Sequence, residues 1–435
     1  MNFKNTNLKE SNEETLKSLS SPINDISPEK KLRDVENIDS EVSTDGSSTL
    51  EISESEVATE LNTVDFIESC YEDTELEITE VPTDLVKENE KPLDLLCSDI
   101  ETCIDWMKKN KGILNEFGIS GLSDELLDYL LIQYHDEKNI EKIQQNFKAV
   151  DYGIKVDVNG HKMSVNIKGE EHNTTIVVLP GLGIQSPILF YKRLTEMLAN
   201  DYKVVTIEPF GYGVSDSTEE ERTAENMVSE IHICLQKLGI DQFYFMGHSL
   251  GGIYSILYDN TFKNEVLGFI GLDNTPSNFS DDDTPIPEDA YTFFKILDKY
   301  HLWGLLPEDK KKEFMEIEHE QQYQNYTEKE LEDLLNINSY RYNNPIIIDE
   351  CNHSGDSMAS TKGLYFHCPL LMFISEQTQE HTPEWNTLHE NMIKDNPNKE
   401  IINKSKVIPL EGTTHGFIHA QKKDFIYDEI KQWIN

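Results

Sequence analysis

The sequence predicts an α/β fold: a mostly parallel sheet entered through an antiparallel hairpin, with helices on both faces and a helical cap. Three observations predict it. At Tyr152 the apolar spacing switches to two. Ile154, Val156 and Val158 alternate, Asn159-Gly160 supplies a type I′ turn, and Met163, Val165 and Ile167 alternate back. Short apolar runs then recur at Thr175–Leu179, Lys203–Ile207, Phe243–Met246, Val266–Leu272 and Leu370–Ile374, the pattern of strands buried on both faces. Helix-length segments lie between these runs, and repeated strand–helix units build a parallel sheet.

The elements follow in order. Residues 1–90 are rich in Ser, Glu, Asp, Asn and Thr, with Phe3, Phe66 and Tyr71 as the aromatics. Such a segment buries too little apolar surface to offset its backbone entropy, so it reads as a disordered acidic tail. Ser21-Pro22 and Ser27-Pro28 are candidate phosphorylation sites within it, against the plainer reading of a solvated tail. Residues 91–149 form a helical extension. Leu95, Leu96, Ile100, Cys103, Ile104 and Met107 recur at helical spacing. Ser123 caps a second helix carrying Leu126, Leu127, Leu130, Leu131 and Tyr134, and Ile140–Phe147 makes a third. These helices are expected to pack on the domain behind them or to form a small bundle. Residues 150–435 hold the sheet, with a helix around Leu189–Leu198, another from Thr223 that Gly239 stops, and a last one over Phe425–Trp433. Nearly a hundred residues, 275–368, separate the sixth and seventh strands, too many for a plain loop. Phe293, Phe294, Leu297, Tyr300, Trp303 and Leu306 make this a strongly apolar helical cap, read as a lid over a pocket or as side chains gluing the cap to the core. Asp281-Asp282-Asp283 at its entrance reads as a solvated hinge.

Chemistry concentrates in Gly247-His248-Ser249-Leu250-Gly251-Gly252, which follows the strand at Phe243–Met246. A serine on a sharp strand-to-helix turn, flanked two residues either side by glycine, is a nucleophile elbow. The turn lifts the hydroxyl clear of the backbone and points the next N–H into the same space. A serine needs a base to take its proton and a carboxylate to orient that base. His415 stands out among 13 histidines by the preceding Gly412 and the adjacent Gly416. His419 is its nearest rival and is expected to pack on the final helix, while the His248 side chain should point away from Ser249.

Strand order, elbow and flanking segments together resemble the α/β-hydrolase superfamily, in its serine-nucleophile, lipase- and esterase-like branch, over roughly residues 150–435. The resemblance implies that Leu179-Pro180-Gly181-Leu182-Gly183 is the oxyanion turn, with the N–H groups of Leu182 and Leu250 as donors. Pro180 departs from the family's usual His-Gly without touching the donor. Glu208-Pro209-Phe210-Gly211-Tyr212-Gly213-Val214-Ser215-Asp216 resembles the family loop that shapes the pocket floor. The resemblance puts the base at His415. The family's usual acid follows the seventh strand, and here that register falls on Thr378, which cannot serve. Some members take the acid from the end of the preceding strand, here Asp273. We favour Asp273, with Glu376 as the alternative and a site lacking a working acid as the third possibility.

The whole chain sets limits. Over 435 residues the net charge is −43, and residues 1–100 alone hold 26 acidic against 8 basic side chains, a net of −18. Phosphate backbones demand a basic surface, so nucleic acid is excluded as a partner, and anionic membranes are disfavoured. Six scattered cysteines without a Cys-x-x-Cys pair read as free thiols of a reducing compartment. The start, Met1 to Asn5, opens no apolar leader, and no apolar run approaches the ~20 residues of a membrane span. A cytoplasmic location is expected. No zinc-ligand spacing or Walker loop occurs, Cys351-x-His353 being too little for a metal, and no cofactor is expected. The expected activity is hydrolysis of a carboxylic ester or related acyl bond in a small molecule. Acyl transfer, thioester, C–C or peptide cleavage by the same residues stays open, as does a ligand sensor with little turnover.

Overall fold

The computed structural model describes residues 97–116, 122–279, 288–314, 326–342 and 344–435. The tail expected over residues 1–90 and the hinge expected at Asp281–Asp283 lie outside them. The chain runs α1 (Ile100–Lys109), α2 (Lys111–Glu116), α3 (Asp124–His135), α4 (Glu137–Ala149), β1 (Ile154–Val158), β2 (His161–Lys168), β3 (Thr175–Leu179), α5 (Pro187–Phe190), α6 (Lys192–Leu198), β4 (Lys203–Glu208), α7 (Ala224–Lys237), β5 (Phe243–His248), α8 (Gly251–Thr261) and β6 (Val266–Leu272). It continues through α9 (Glu288–Lys299), α10 (Glu308–Phe314), α11 (Glu328–Arg341), α12 (Pro345–Asn352), α13 (Ser354–Ser360), β7 (Leu370–Ser375), α14 (Glu376–His381), α15 (Trp385–Lys394), α16 (Lys399–Lys404), β8 (Lys406–Leu410), α17 (Ile418–Gln421) and α18 (Lys423–Ile434).

The eight strands form one sheet in the order β1-β2-β4-β3-β5-β6-β7-β8. β1 pairs β2 and β2 pairs β4 antiparallel, and every later pairing is parallel. The expected hairpin and parallel sheet are therefore both present. β3 and β7 are buried at every residue, as covered parallel strands must be. One apolar cluster fills the face that includes α7 and α8, and a second fills the face that includes α6 and α18. Chain direction reverses its walk across the sheet at β3, with β4 on one side and β5 on the other. In open α/β sheets such a switch point leaves a crevice beyond the carboxyl ends of the strands.

Local rules explain the element ends. The Ser123 hydroxyl accepts the Leu126 N–H at 3.1 Å to start α3, and Thr223 does the same for Asn226 at α7. Gly239, at φ +68, ends α7. The single helix expected over Leu189–Leu198 is instead two, α5 and α6, broken at Tyr191.

The N-terminal helices pack on the helices between β6 and β7. One cluster holds Ile100, Cys103, Ile104 and Met107 of α1, Leu126, Leu127 and Leu130 of α3, and Phe293, Phe294 and Leu297 of α9. Rings lock it: Trp106 lies 5.5 Å from Phe293, Tyr134 meets Tyr300 edge-on at 5.4 Å, and Phe147 stacks on Tyr340 at 4.2 Å. The Tyr300 hydroxyl donates to the Cys97 carbonyl at 3.1 Å. Helices this short cannot each bury their apolar stripe alone, so extension and cap helices share a core. Leu127 is wholly buried in it. Leu127→Ala should cost about 2–5 kcal/mol and lower the denaturant midpoint of the cap, followed by tryptophan fluorescence. An unchanged midpoint would contradict the shared core.

Candidate active site

The candidate serine sits at the switch point. β5 ends at His248, and Ser249 takes φ +50, a left-handed conformation that costs a non-glycine residue on the order of 1 kcal/mol or more. The close approach of strand and helix explains the glycines beside it. A Cβ on Gly247 would lie 2.9 Å from the Gly251 carbonyl oxygen, and one on Gly251 would lie 2.8 Å from that of Pro180. The Ser249 carbonyl is fixed by the N–H groups of Gly252 and Thr275, both at 2.9 Å.

Asp273 stands level with it on the next strand. Leu272 pairs His248 in register, so residues 273 and 249 follow side by side at the carboxyl edge. Asp273 also takes positive φ, +45, and is wholly buried. Its carboxylate accepts five hydrogen bonds. Oδ1 takes Ser375 N–H and Trp385 Nε1–H, each at 3.0 Å. Oδ2 takes the Ser375 hydroxyl at 2.6 Å, the Thr378 hydroxyl at 2.5 Å and His415 Nδ1–H at 2.8 Å. Burial raises its pKa, but His415, Ser375 and Thr378 outweigh burial and hold the carboxyl well below the usual range.

His415 lies in the loop between β8 and α17, and its main chain is held on both sides. Its N–H donates to Gln377 Oε1 at 2.9 Å, and its carbonyl accepts His248 Nε2–H at 2.9 Å. The His248 and His415 rings lie 5.0 Å apart. The bond to Asp273 puts the proton on Nδ1 and the basic lone pair on Nε2.

The turn after β3 is braced from beneath. Gly181 N–H approaches the Tyr191 hydroxyl at 3.4 Å, and Gly183 N–H donates to the Tyr212 hydroxyl at 3.1 Å. The intervening Leu182 N–H and the Leu250 N–H meet no protein acceptor among the described residues, the condition for donors kept for a ligand oxygen. Glu208 is buried under this turn, accepting from Tyr152 at 2.8 Å, Ser186 at 3.1 Å and Val214 N–H at 3.0 Å. Burial raises its pKa against those bonds. It scaffolds the loop, with all its acceptors turned to protein.

The structure brings Ser249, Asp273 and His415 to one edge and takes Glu376 elsewhere. Glu376 Oε2 accepts Gly412 N–H at 2.6 Å, whereas the carboxylate hydrogen-bonded to His415 Nδ1 is that of Asp273. His419 is buried and packs against α5. Its Nε2 donates to the Phe190 carbonyl at 3.0 Å, and its ring lies 4.6 Å from Phe190. Ser375, Thr378 and Trp385 around Asp273 carried no signal in the sequence, apart from the place of Thr378 in the register.

Comparison with known proteins agrees with this architecture. The alpha/beta hydrolase fold family matches residues 174–395, just over half of the chain. The chain belongs to the α/β-hydrolase fold family, and it is a hydrolase-fold protein whose substrate the comparisons leave undetermined. An uncharacterized protein of Bacillus subtilis, YbdG, is 29% identical over 122 residues, 28% of this chain and 37% of its own. The 3-oxoadipate enol-lactonase 1 of Acinetobacter baylyi is 31% identical over 97 residues, 22% of this chain and 35% of its own. The chain thus spans about a third of the length of these curated relatives. Among solved structures, a meta-cleavage product hydrolase from Pseudomonas fluorescens superimposes with TM-score 0.46 at 14% identity, covering 65% of this chain and 97% of the other. No helix among the described residues is long and apolar enough to cross a membrane.

The depressed Asp273 carboxyl has a consequence for stability. A folded pKa below the unfolded value of about 3.9 stabilises the fold fully above that value, and the stabilisation is lost as pH falls through the folded pKa. The urea-unfolding gap between wild type and Asp273→Asn should therefore be widest near neutrality and narrow below about pH 4. A gap that stays constant through that range would overturn the assignment.

Proposed function

We propose that the protein is a serine hydrolase that cleaves a carboxylic ester or related acyl bond through an acyl-enzyme on Ser249. The Asp273–His415 hydrogen bond at 2.8 Å, beside a serine at φ +50, carries this reading. Ser249 Oγ attacks the substrate carbonyl while His415 Nε2 takes its proton. The N–H groups of Leu182 and Leu250 receive the developing oxyanion, each such donor being worth about 3–4 kcal/mol. His415 then returns the proton to the leaving alkoxide, the C–O bond breaks, and the acyl group stays on Ser249. Water deprotonated by His415 attacks the acyl carbon and releases the acid, regenerating the serine. Buried Asp273 holds the imidazole tautomer throughout and stabilises the imidazolium.

The match to an enol-lactonase supports acyl–oxygen cleavage, since an enol-lactone is a cyclic ester. A serine at the elbow also separates this chain from family chemistries that need a carboxylate nucleophile there. A small-molecule substrate under the cap is the corresponding partner.

The test uses the full chain. A fluorophosphonate should label wild type and leave Ser249→Ala unlabelled. On a p-nitrophenyl ester panel, Asp273→Asn should lose about 10³–10⁴-fold in kcat, and Glu376→Gln should stay within a few-fold of wild type. Folded wild type that takes no label sinks the proposal. Label without ester turnover on any chain length would move the protein to the ligand-sensor reading.

A further inference from the structure

A buried polar chain connects the turn after β3 to the loop that carries His415. Gly181 N–H lies 3.4 Å from the Tyr191 hydroxyl, which lies 3.0 Å from His248 Nδ1. His248 Nε2 lies 2.9 Å from the His415 carbonyl oxygen. Tyr191 is wholly buried and His248 nearly so. Every direction in the chain is determined. A carbonyl oxygen only accepts, so His248 Nε2 carries the hydrogen. A neutral imidazole then has its lone pair on Nδ1, so Tyr191 must donate there. The Tyr191 oxygen is left to accept from Gly181. Burial, followed by the neighbouring His415, holds the His248 pKa down to about 3, so the ring stays neutral and the polarity does not reverse.

The chain joins three segments far apart in sequence, each bearing one part of the site. Gly181 precedes the Leu182 donor, His248 precedes Ser249, and the acceptor belongs to His415 itself. The two ring nitrogens of His248 are both committed to these partners. Gln377 holds the opposite side of the His415 main chain at 2.9 Å, so removing His248 frees one flank of the base and leaves the other pinned.

We propose that His248, oriented by Tyr191, is a positioning residue that fixes the His415 main chain relative to the oxyanion turn. The inference rests on the serine-hydrolase reading. It acts through placement, and a misplacement of about 1 Å costs on the order of 100-fold in rate.

Two readouts on the full chain test it. The first is the downfield proton resonance of the His415–Asp273 hydrogen bond, which exists whether or not the protein turns over substrate. It should be sharp in wild type, broadened or lost in His248→Ala, and partly restored in His248→Gln, whose amide can donate to the His415 carbonyl. The second is kinetic. His248→Ala should lower kcat about 10- to 100-fold with KM little changed, Tyr191→Phe should lower it less, and His248→Gln should recover part of the loss. A wild-type resonance in His248→Ala overturns the inference, and so does a lost resonance with wild-type kcat. Wild type that shows the resonance but takes no fluorophosphonate overturns the hydrolase reading, and the resonance in the variants then still decides the positioning.

Discussion

Asp273 holds a negative charge without solvent, and much of the carboxyl edge of the sheet is arranged around it. Placing an ion in the interior costs several kcal/mol unless its lone pairs are met. Here they are met by a main-chain N–H and two hydroxyls from the β7 end and α14, an indole from α15 and the imidazole of the loop after β8. Four separate pieces of chain must converge before the charge is tolerated. β7, α14, α15 and the His415 loop are thereby held in one arrangement, and no one of them can shift without unpairing the carboxylate.

Backbone conformation serves the same edge. Ser249 and Asp273 lie level on adjacent strands and both take left-handed φ, +50 and +45. Neither is glycine, so both conformations are strained and persist because the surroundings over-determine them. At Ser249 the restraint is the contact of Gly247 with Gly251 and of Gly251 with Pro180. At Asp273 it is the five hydrogen bonds, with the Asp273 N–H held by the Phe373 carbonyl at 2.8 Å. Packing supplies one constraint and electrostatics the other.

The sheet was legible because its signals are local. Alternation, the Asn159-Gly160 turn and short apolar runs set the positions of β1 to β7 to within a residue or two, while the range of β8 (Lys406–Leu410) comes from the structure alone. The elbow was legible because glycine spacing records a close approach that no other residue allows. The surroundings of Asp273 were not. Ser375, Thr378 and Trp385 are ordinary residues in sequence, and their convergence on one carboxylate depends on the register of β6 against β7 and on where α15 begins. Thr378 is instructive. Where the superfamily resemblance called for an acid, this chain has a hydroxyl, and that hydroxyl donates to the carboxylate one strand away. The seat of the N-terminal helices was also hidden, since an amphipathic stripe declares that a face is buried but not against what.

Hydrogen bonds tie the helices between β6 and β7 to the turn after β3. Glu350 of α12 is wholly enclosed and accepts the Tyr212 and Tyr254 hydroxyls, each at 2.7 Å. Tyr212 in turn accepts the Gly183 N–H of the turn after β3. Burial raises the Glu350 pKa, opposed by the two tyrosine hydroxyls and the charge of Arg222. Asp349 beside it accepts the Arg222 N–H at 2.8 Å, and Arg222 forms a buried fork with Glu230 of α7 at 2.9 and 2.8 Å. Moving α12 away would therefore strip a buried carboxyl of its donors and remove the brace under Gly183 in the same step. Because the N-terminal helices share a core with the helices between β6 and β7, and that core includes Ile348 of α12, the packing that seats α12 includes α1 and α3, more than a hundred residues upstream of Ser249 in the chain.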